Sequence, residues 1–246
     1  MKNLIVNGCS FTDDEKNETW ATYVNEVLSP LEYINLAKGS AGNQFICDST
    51  IEFLESKQID PSDSVIIIMW SGIGRKDYNI SGEWYYYFKD FYSLVCERND
   101  ETYFLHSGGL THSWLENKTI RKIFEPVYKI VDPLSLCKEN LLFFIKLKSY
   151  LNSKGYNFIF TNYFNTWDPT VESTHGGDYC IAHFCEQFPL YTNFDFSNWH
   201  FANGNRDCLG DIALQQNKIV KAHPTNEMHK QFSKTVIEWV NEYITH

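Results

Sequence analysis

The stretch that decides the fold is residues 1–12, MKNLIVNGCSFT. Its apolar run at positions 4–6 stops at Gly8, which predicts a buried strand that ends in a tight turn. The turn places Ser10 just beyond the carboxyl end of this strand, the edge at which open α/β sheets bind ligands. Ser10 is therefore a candidate nucleophile, provided that another part of the chain supplies a base.

Predicted strands and helices alternate along the rest of the chain. Residues 64–70, SVIIIMW, are apolar on both faces, which is typical of the centre of a parallel sheet. Asp132, Pro133 and Gly155 are suited to capping the two ends of a long helix between them. Further strands are predicted at residues 31–36, 156–161 and 188–194, and further helices at 18–28, 43–57 and from 225 onward. This order predicts an α/β fold: a three-layer α/β/α sandwich with a central, mostly parallel, flavodoxin-like sheet.

Two aromatic-rich stretches, residues 76–131 and 163–216, depart from the alternation. We expect both to be irregular insertions into one domain that spans residues 1–246, rather than a second domain. Their rings favour a satellite core, with a pocket wall that stacks on sugars as the alternative.

Composition narrows the class of protein. The formal net charge of −10 argues against a nucleic-acid partner, which would need a basic face. The seven cysteines include no CxxC pair, which favours reduced thiols in a cytoplasmic compartment over a disulfide framework. No stretch has the length of a signal-peptide core or a membrane span, so we expect a soluble, cytoplasmic protein without a membrane partner. Export by a route without a cleaved signal is the alternative.

A candidate base lies near the other end of the chain. His223 precedes Pro224, and proline biases the residue before it to an extended backbone, so the imidazole is expected in a loop just before the last helix and not on the helix face. An imidazole that reaches Ser10 would take its proton during attack on an ester. Backbone amides in the glycine-rich turn at residues 39–43 are suited to holding the oxyanion.

Four stretches of the chain resemble the four conserved sequence blocks of the SGNH (GDSL-like) hydrolase family, in a divergent branch. The similar stretches are Gly8-Cys9-Ser10, Asn35-Leu36-Ala37 with Gly39 or Gly42, residues 65–71, and His223-Pro224. The resemblance implies a metal-independent serine esterase or O-deacylase without a cofactor, acting on an acyl ester, for which a carbohydrate ester is a candidate. Ser10 would be the nucleophile and His223 the general base and acid, with amides of Ser10, Gly39 and Gly42 as oxyanion donors.

The third block departs from the family pattern. The family offers an asparagine there as an oxyanion donor, whereas residues 71–73 of this chain are Ser-Gly-Ile. Asn43, Arg75 and Asn165 are candidates to replace it. Asn43, Ser71 and Arg75 are also the candidate substrate-binding residues. When the spacing of the family's second block is counted from Asn35, the position of its glycine falls nearer Ser40.

The last block departs as well. The family places an aspartate three residues before its histidine, where this chain has Val220. A backbone carbonyl, Asp207 or Asp211 are the alternatives for orienting His223. His229 is interpreted as structural or pocket-lining.

One cluster has the composition of a metal site: His175, Asp178, Cys180, His183 and Cys185. Its spacing matches no zinc-ligand pattern, so no metal is predicted. Two other functions stay open beside ester hydrolysis. The missing aspartate and asparagine motivate a non-catalytic glycan- or protein-binding module, and the same serine and histidine suit acyl transfer to an alcohol.

Overall fold

The computed structural model describes residues 1–57, 59–88, 95–98, 102–106, 132–167, 193–202, 207–220 and 223–244, and the single positions 122, 126 and 130. In chain order the elements are β1 (Asn3–Asn7), α1 (Trp20–Leu28), β2 (Glu32–Asn35), α2 (Asn43–Lys57), β3 (Ser64–Trp70), β4 (Asp77–Ile80), α3 (Gly82–Phe88), β5 (Val95–Arg98), β6 (Thr102–His106), α4 (Pro133–Lys154), β7 (Asn157–Asn162), α5 (Leu209–Gln215), β8 (Ile219–Val220), β9 (His223–Pro224) and α6 (Asn226–Ile244).

The central sheet has the strand order β2-β1-β3-β7, and every pair in it is parallel. A further segment continues the sheet beyond β7, because the Phe160 N–H donates to the Asn198 carbonyl and the His200 N–H donates to the Phe160 carbonyl, both at 2.8 Å. Trp199 thereby forms a parallel bridge with Phe160. The predicted mostly parallel sheet is confirmed.

Successive side chains along the strands pack alternately into two separate hydrophobic cores. Ile5, Ile66 and Phe158 face one core together with α2 and α4. Leu4 and Ile67 face the other core, where they meet α1, α5 and α6. Because side chains of a strand point to opposite faces in turn, a sheet buried on both sides needs helices on both sides. The predicted three-layer α/β/α sandwich is confirmed.

The predicted signals at the ends of α4 also act as expected. The Asp132 carboxylate accepts hydrogen bonds from the backbone N–H groups of Leu134 and Ser135. At the other end Gly155 adopts a left-handed conformation, with φ of +76°, and donates back into the last turn. Both ends of the helix therefore follow from local sequence.

The first insertion is more regular than the sequence predicts. In its described part, β4, β6 and β5 form a three-stranded antiparallel sheet, and α3 follows β4 directly. The expectation of an irregular stretch at 76–131 was wrong for these segments, because strands of four or five residues leave too short a pattern to recognise.

The second insertion is described only in part. Residues 209–215 form α5, and the predicted strand at 188–194 lies mostly outside the described residues, with positions 193 and 194 not in a strand. None of the helices among the described residues has the length and apolar character that crossing a membrane requires.

Candidate active site

The turn after β1 holds Ser10 by a compact set of hydrogen bonds. The backbone N–H groups of Thr12 and Asp13 both donate to the Cys9 carbonyl, at 2.9 and 3.0 Å. A side chain at Gly8 would overlap that of Thr12 and would lie 3.0 Å from the Met69 carbonyl, so only glycine fits between β1 and β3 there. The serine hydroxyl is thus presented at the carboxyl edge of the sheet.

The short hairpin before α6 brings His223 to the same edge of the central sheet. β9 pairs with β8 in an antiparallel hairpin, and the Thr225 N–H donates to the Lys218 carbonyl at 2.9 Å. The Nε2 atom of His223 lies 2.8 Å from Oγ of Ser10, although the two residues are 213 positions apart. The imidazole is exposed and packs against the ring of Phe11, with centroids 5.5 Å apart. The structure therefore brings the two candidate catalytic side chains into hydrogen-bond contact.

His229 lies behind this pair and serves the packing of two helices. Its Nδ1 atom accepts a hydrogen bond from the backbone N–H of Trp20, the first residue of α1, at 3.2 Å. Only 4% of His229 is exposed, and burial, with the nearby His223 charge adding to it, lowers its pKa to about 4. The imidazole is therefore neutral at pH 7, as acceptance of a hydrogen bond at Nδ1 requires.

We expect His229 to make the stability of the fold depend on acidity. The folded-state pKa of about 4 lies below the reference value of 6.5, so the unfolded chain takes up a proton first as the pH falls. Stability is lost across this window, by roughly 3 kcal/mol in total. In His229→Asn, whose amide oxygen replaces Nδ1 as acceptor, urea unfolding should lack this component. A difference in unfolding free energy between wild type and variant that is equal at pH 7 and pH 4.5 would contradict this.

In the glycine-rich turn between β2 and α2, the free N–H groups are not the ones that the sequence predicts. The Gly39 N–H donates to Oδ2 of Asp13 at 2.8 Å, and the Gly42 N–H donates to Oδ1 of Asp77 at 2.9 Å. Both amides proposed as oxyanion donors are thus occupied by carboxylates in this structure, and the assignment of Gly39 and Gly42 is not supported.

Two other amides at this edge are available. Ser40 adopts a left-handed conformation with φ of 66°, and within the described residues neither its N–H nor that of Ser10 has an acceptor. Glycine is favoured at positions with a left-handed backbone. The conformation of Ser40 therefore agrees with the motif spacing that places the family glycine near this residue.

Asn43 and Ser71 form a buried clasp between α2 and the end of β3. The Asn43 side chain donates to the Ser71 carbonyl at 3.0 Å and accepts from the Ser71 N–H at 2.7 Å. It also donates to the Asn140 side chain on α4 at 2.7 Å. Asn43 is 1% exposed and Ser71 is fully buried, so a substrate does not reach either of them here. Both residues instead join α2 to the end of β3, and their assignment as substrate-binding residues stays a prediction.

Arg75 is the third candidate substrate-binding residue, and it lies at the sheet edge. Its guanidinium carbon is 5.0 Å from the ring centroid of Tyr163, which follows β7. Tyr163 packs edge-on against Phe11, with centroids 5.3 Å apart. Arg75 is thus linked through two rings to the residue beside Ser10.

The side chains of Asp211 and Asn165 accept hydrogen bonds from backbone groups. The Asp211 carboxylate accepts from the N–H groups of Asn165 and Cys208, at 2.8 and 2.9 Å, and makes no hydrogen bond to His223. Burial raises the pKa of Asp211 to about 6. The Asn165 side chain accepts from the Trp167 N–H at 2.9 Å. The Asp207 carbonyl accepts from the Ala202 N–H, at 2.8 Å.

The cluster at residues 175–185 lies outside the described residues. Elsewhere, within the part of the chain that the structure describes, no group of three or more His, Cys, Asp or Glu side chains is placed to hold a metal ion.

The chain matches no family model and no curated protein sequence. It is similar in structure to the psychrotrophic esterase EstA from Pseudoalteromonas sp., solved in a form inhibited by monoethylphosphonate, with a TM-score of 0.52, 8% identity and 100% of both chains covered. It is also similar to the lipase Lip_vut3 from a goat rumen metagenome, with a TM-score of 0.48, 10% identity and 96% of both chains covered. The likeness to EstA shows the fold: the chain has an α/β architecture that an esterase also has.

Proposed function

We propose that this protein is a serine ester hydrolase of the SGNH type, with Ser10 as nucleophile and His223 as general base and acid. The observation that carries the proposal is the 2.8 Å contact between Nε2 of His223 and Oγ of Ser10 at the carboxyl edge of the sheet. An imidazole within hydrogen-bond reach of a serine hydroxyl activates it as a nucleophile. The esterase-like fold is consistent with this chemistry.

The reaction proceeds in two halves and needs no metal. His223 Nε2 takes the hydroxyl proton as Ser10 attacks the ester carbonyl, and the protonated imidazole then gives that proton to the leaving alcohol. Water, deprotonated by the same nitrogen, attacks the acyl-enzyme and releases the acid with Ser10 restored. The N–H groups of Ser10 and Ser40 are the proposed oxyanion donors, because both are without an acceptor in this structure.

The substrate is an acyl ester, for which a carbohydrate ester is a candidate. The test is incubation with p-nitrophenyl acetate and with a serine-directed phosphonate, followed by peptide mass spectrometry. We expect turnover and a single phosphonyl adduct on Ser10. A folded protein that gives neither result would contradict the proposal.

A binding module without catalysis is the second candidate, and the third block favours it. Residues 71–73 contain no asparagine, and the side chain of Ile73 is fully buried and has no donor. Binding of an acetylated glycan that survives Ser10→Ala, with no hydrolysis by wild type, would favour this function. Formation of a new ester when an acceptor alcohol is added would instead indicate acyl transfer.

The role of Ser40 leads to a matched pair of variants. Ser40→Gly relieves the cost of a left-handed conformation, about 1 kcal/mol, and is expected to raise stability slightly while kcat is kept. Ser40→Val places a β-branched side chain at φ of 66° and is expected to displace the amide and lower kcat about tenfold or more. Steady-state kinetics and thermal unfolding of both variants check this, and equal kcat values would contradict it.

A further inference from the structure

Arg75 has an unusual environment for a positive charge. Its Nε and Nη1 atoms are buried and have no hydrogen-bond partner. Among the described residues, these are the only buried lysine or arginine nitrogens without a hydrogen-bond partner. The neighbouring Lys76, by contrast, pairs with Glu139 at 2.6 Å.

The contact with Tyr163 offsets only part of the free-energy cost of burying guanidinium nitrogens without hydrogen-bond partners. A guanidinium over an aromatic face gains roughly 0.5–2 kcal/mol, whereas a desolvated charge without a counter-ion costs several kcal/mol. A half-buried guanidinium with two buried, unpartnered nitrogens is therefore costly to keep unless an anion binds there. Low local polarity strengthens the attraction for such an anion.

We infer that Arg75 binds a carboxylate of the substrate, so that the preferred substrates are acyl esters that carry a negative charge. This rests on the proposed hydrolase function, because the guanidinium is connected to Ser10 through Tyr163 and Phe11. The planar fork of an arginine matches a carboxylate. A single negative charge suits the site better than a phosphate dianion, because Asp13 and Asp77 already bind the adjacent turn at residues 39–43.

The position of Arg75 favours substrate recognition over a role at the reacting carbonyl. In the proposed mechanism the N–H groups of Ser10 and Ser40, which have no acceptor among the described residues, are the two donors for the oxyanion. Arg75 itself lies over Tyr163, a residue that follows a different strand from Ser10. In this proposal the guanidinium therefore acts on a part of the substrate beyond the scissile bond.

Two matched pairs of esters test the inference. One pair is 4-acetoxybenzoate and its methyl ester, with the charge on the alcohol side, and the other is mono-4-nitrophenyl succinate and its methyl ester, with the charge on the acyl side. We expect wild type to prefer the charged member of at least one pair in kcat/KM by about ten- to a hundredfold. In Arg75→Met this preference is lost, mainly through KM, and Arg75→Lys keeps part of it. Lys57→Met, an exposed cation at the end of α2, is the control that keeps the preference.

The outcomes separate this inference from the hydrolase proposal. A preference that persists in a folded Arg75→Met protein overturns the carboxylate site, and so does an equal loss of kcat on charged and neutral esters, which would indicate an oxyanion role. A second readout does not need turnover: benzoate or succinate should raise the Tm of wild type and of Ser10→Ala, but not that of Arg75→Met. If these anions raise the Tm but no ester is hydrolysed, the anion site is supported and the hydrolase proposal is wrong. If esters are hydrolysed without any Tm increase or charge preference, the hydrolase proposal is supported and the anion site is wrong.

Discussion

Ser10→Ala is expected to lower kcat for p-nitrophenyl acetate by at least about a thousandfold, because in the proposed mechanism the acyl-enzyme forms on its hydroxyl. His223→Gln should cause a loss of similar size, since Oγ of Ser10 then has no base at 2.8 Å. The double variant should be no worse than either single variant, because the two side chains act as one unit.

The control for these variants is Ser56→Ala, which removes an exposed serine whose hydroxyl donates only to the Phe53 carbonyl. It should keep full activity and full labelling by phosphonate, whereas Ser10→Ala should lose both. Thermal unfolding of each variant separates lost chemistry from lost structure. If Ser10→Ala kept the turnover of wild type, the hydrolase mechanism would be wrong.

Asp77→Ala is expected to have the largest effect on stability, about 3–5 kcal/mol. Its side chain is fully buried and accepts from the Gly42 N–H, the Phe45 N–H and Nδ1 of His106, the last at 2.7 Å. Removing the carboxylate leaves two backbone donors and an imidazole without this acceptor inside the protein. It also frees the turn that carries Ser40, so kcat should fall together with stability.

Urea unfolding measures this effect, with Asp132→Ala as the matched control. Asp132 also caps a helix with its carboxylate, but it is exposed, so its removal should cost much less than that of Asp77. Equal losses in the two variants would show that the buried position of Asp77 contributes nothing. Asp77→Asn, which keeps an acceptor oxygen but no charge, should lie between them.

Much of the sheet and its helices could be predicted because the information is local. The apolar run of β3 gives its bounds directly, and Asp132 and Gly155 give those of α4. The proximity of Ser10 and His223 could also be predicted, because Gly8 marks the end of the strand before Ser10 and Pro224 marks the approach to the last helix after His223. Local pattern fixes which edge such residues occupy.

The hydrogen bonds of the site could not be predicted in the same way. Asp13 and Asp77 occupy the N–H groups of Gly39 and Gly42, and these partners are 26 and 35 positions apart. A lone aspartate carries no periodic signal, and the short strand β4 that positions Asp77 is too brief to recognise. Whether a turn amide is free or occupied therefore depends on tertiary contacts that the sequence does not display.

The distance along the chain between Ser10 and His223 has a consequence for biosynthesis. While a ribosome is still extending the polypeptide, the serine emerges more than two hundred residues ahead of its imidazole. At roughly 5–20 residues per second, the hydroxyl spends ten seconds or more without a base. If the proposed mechanism holds, nascent and prematurely terminated chains carry an inert serine, and reactivity arises only when α6 docks on α1.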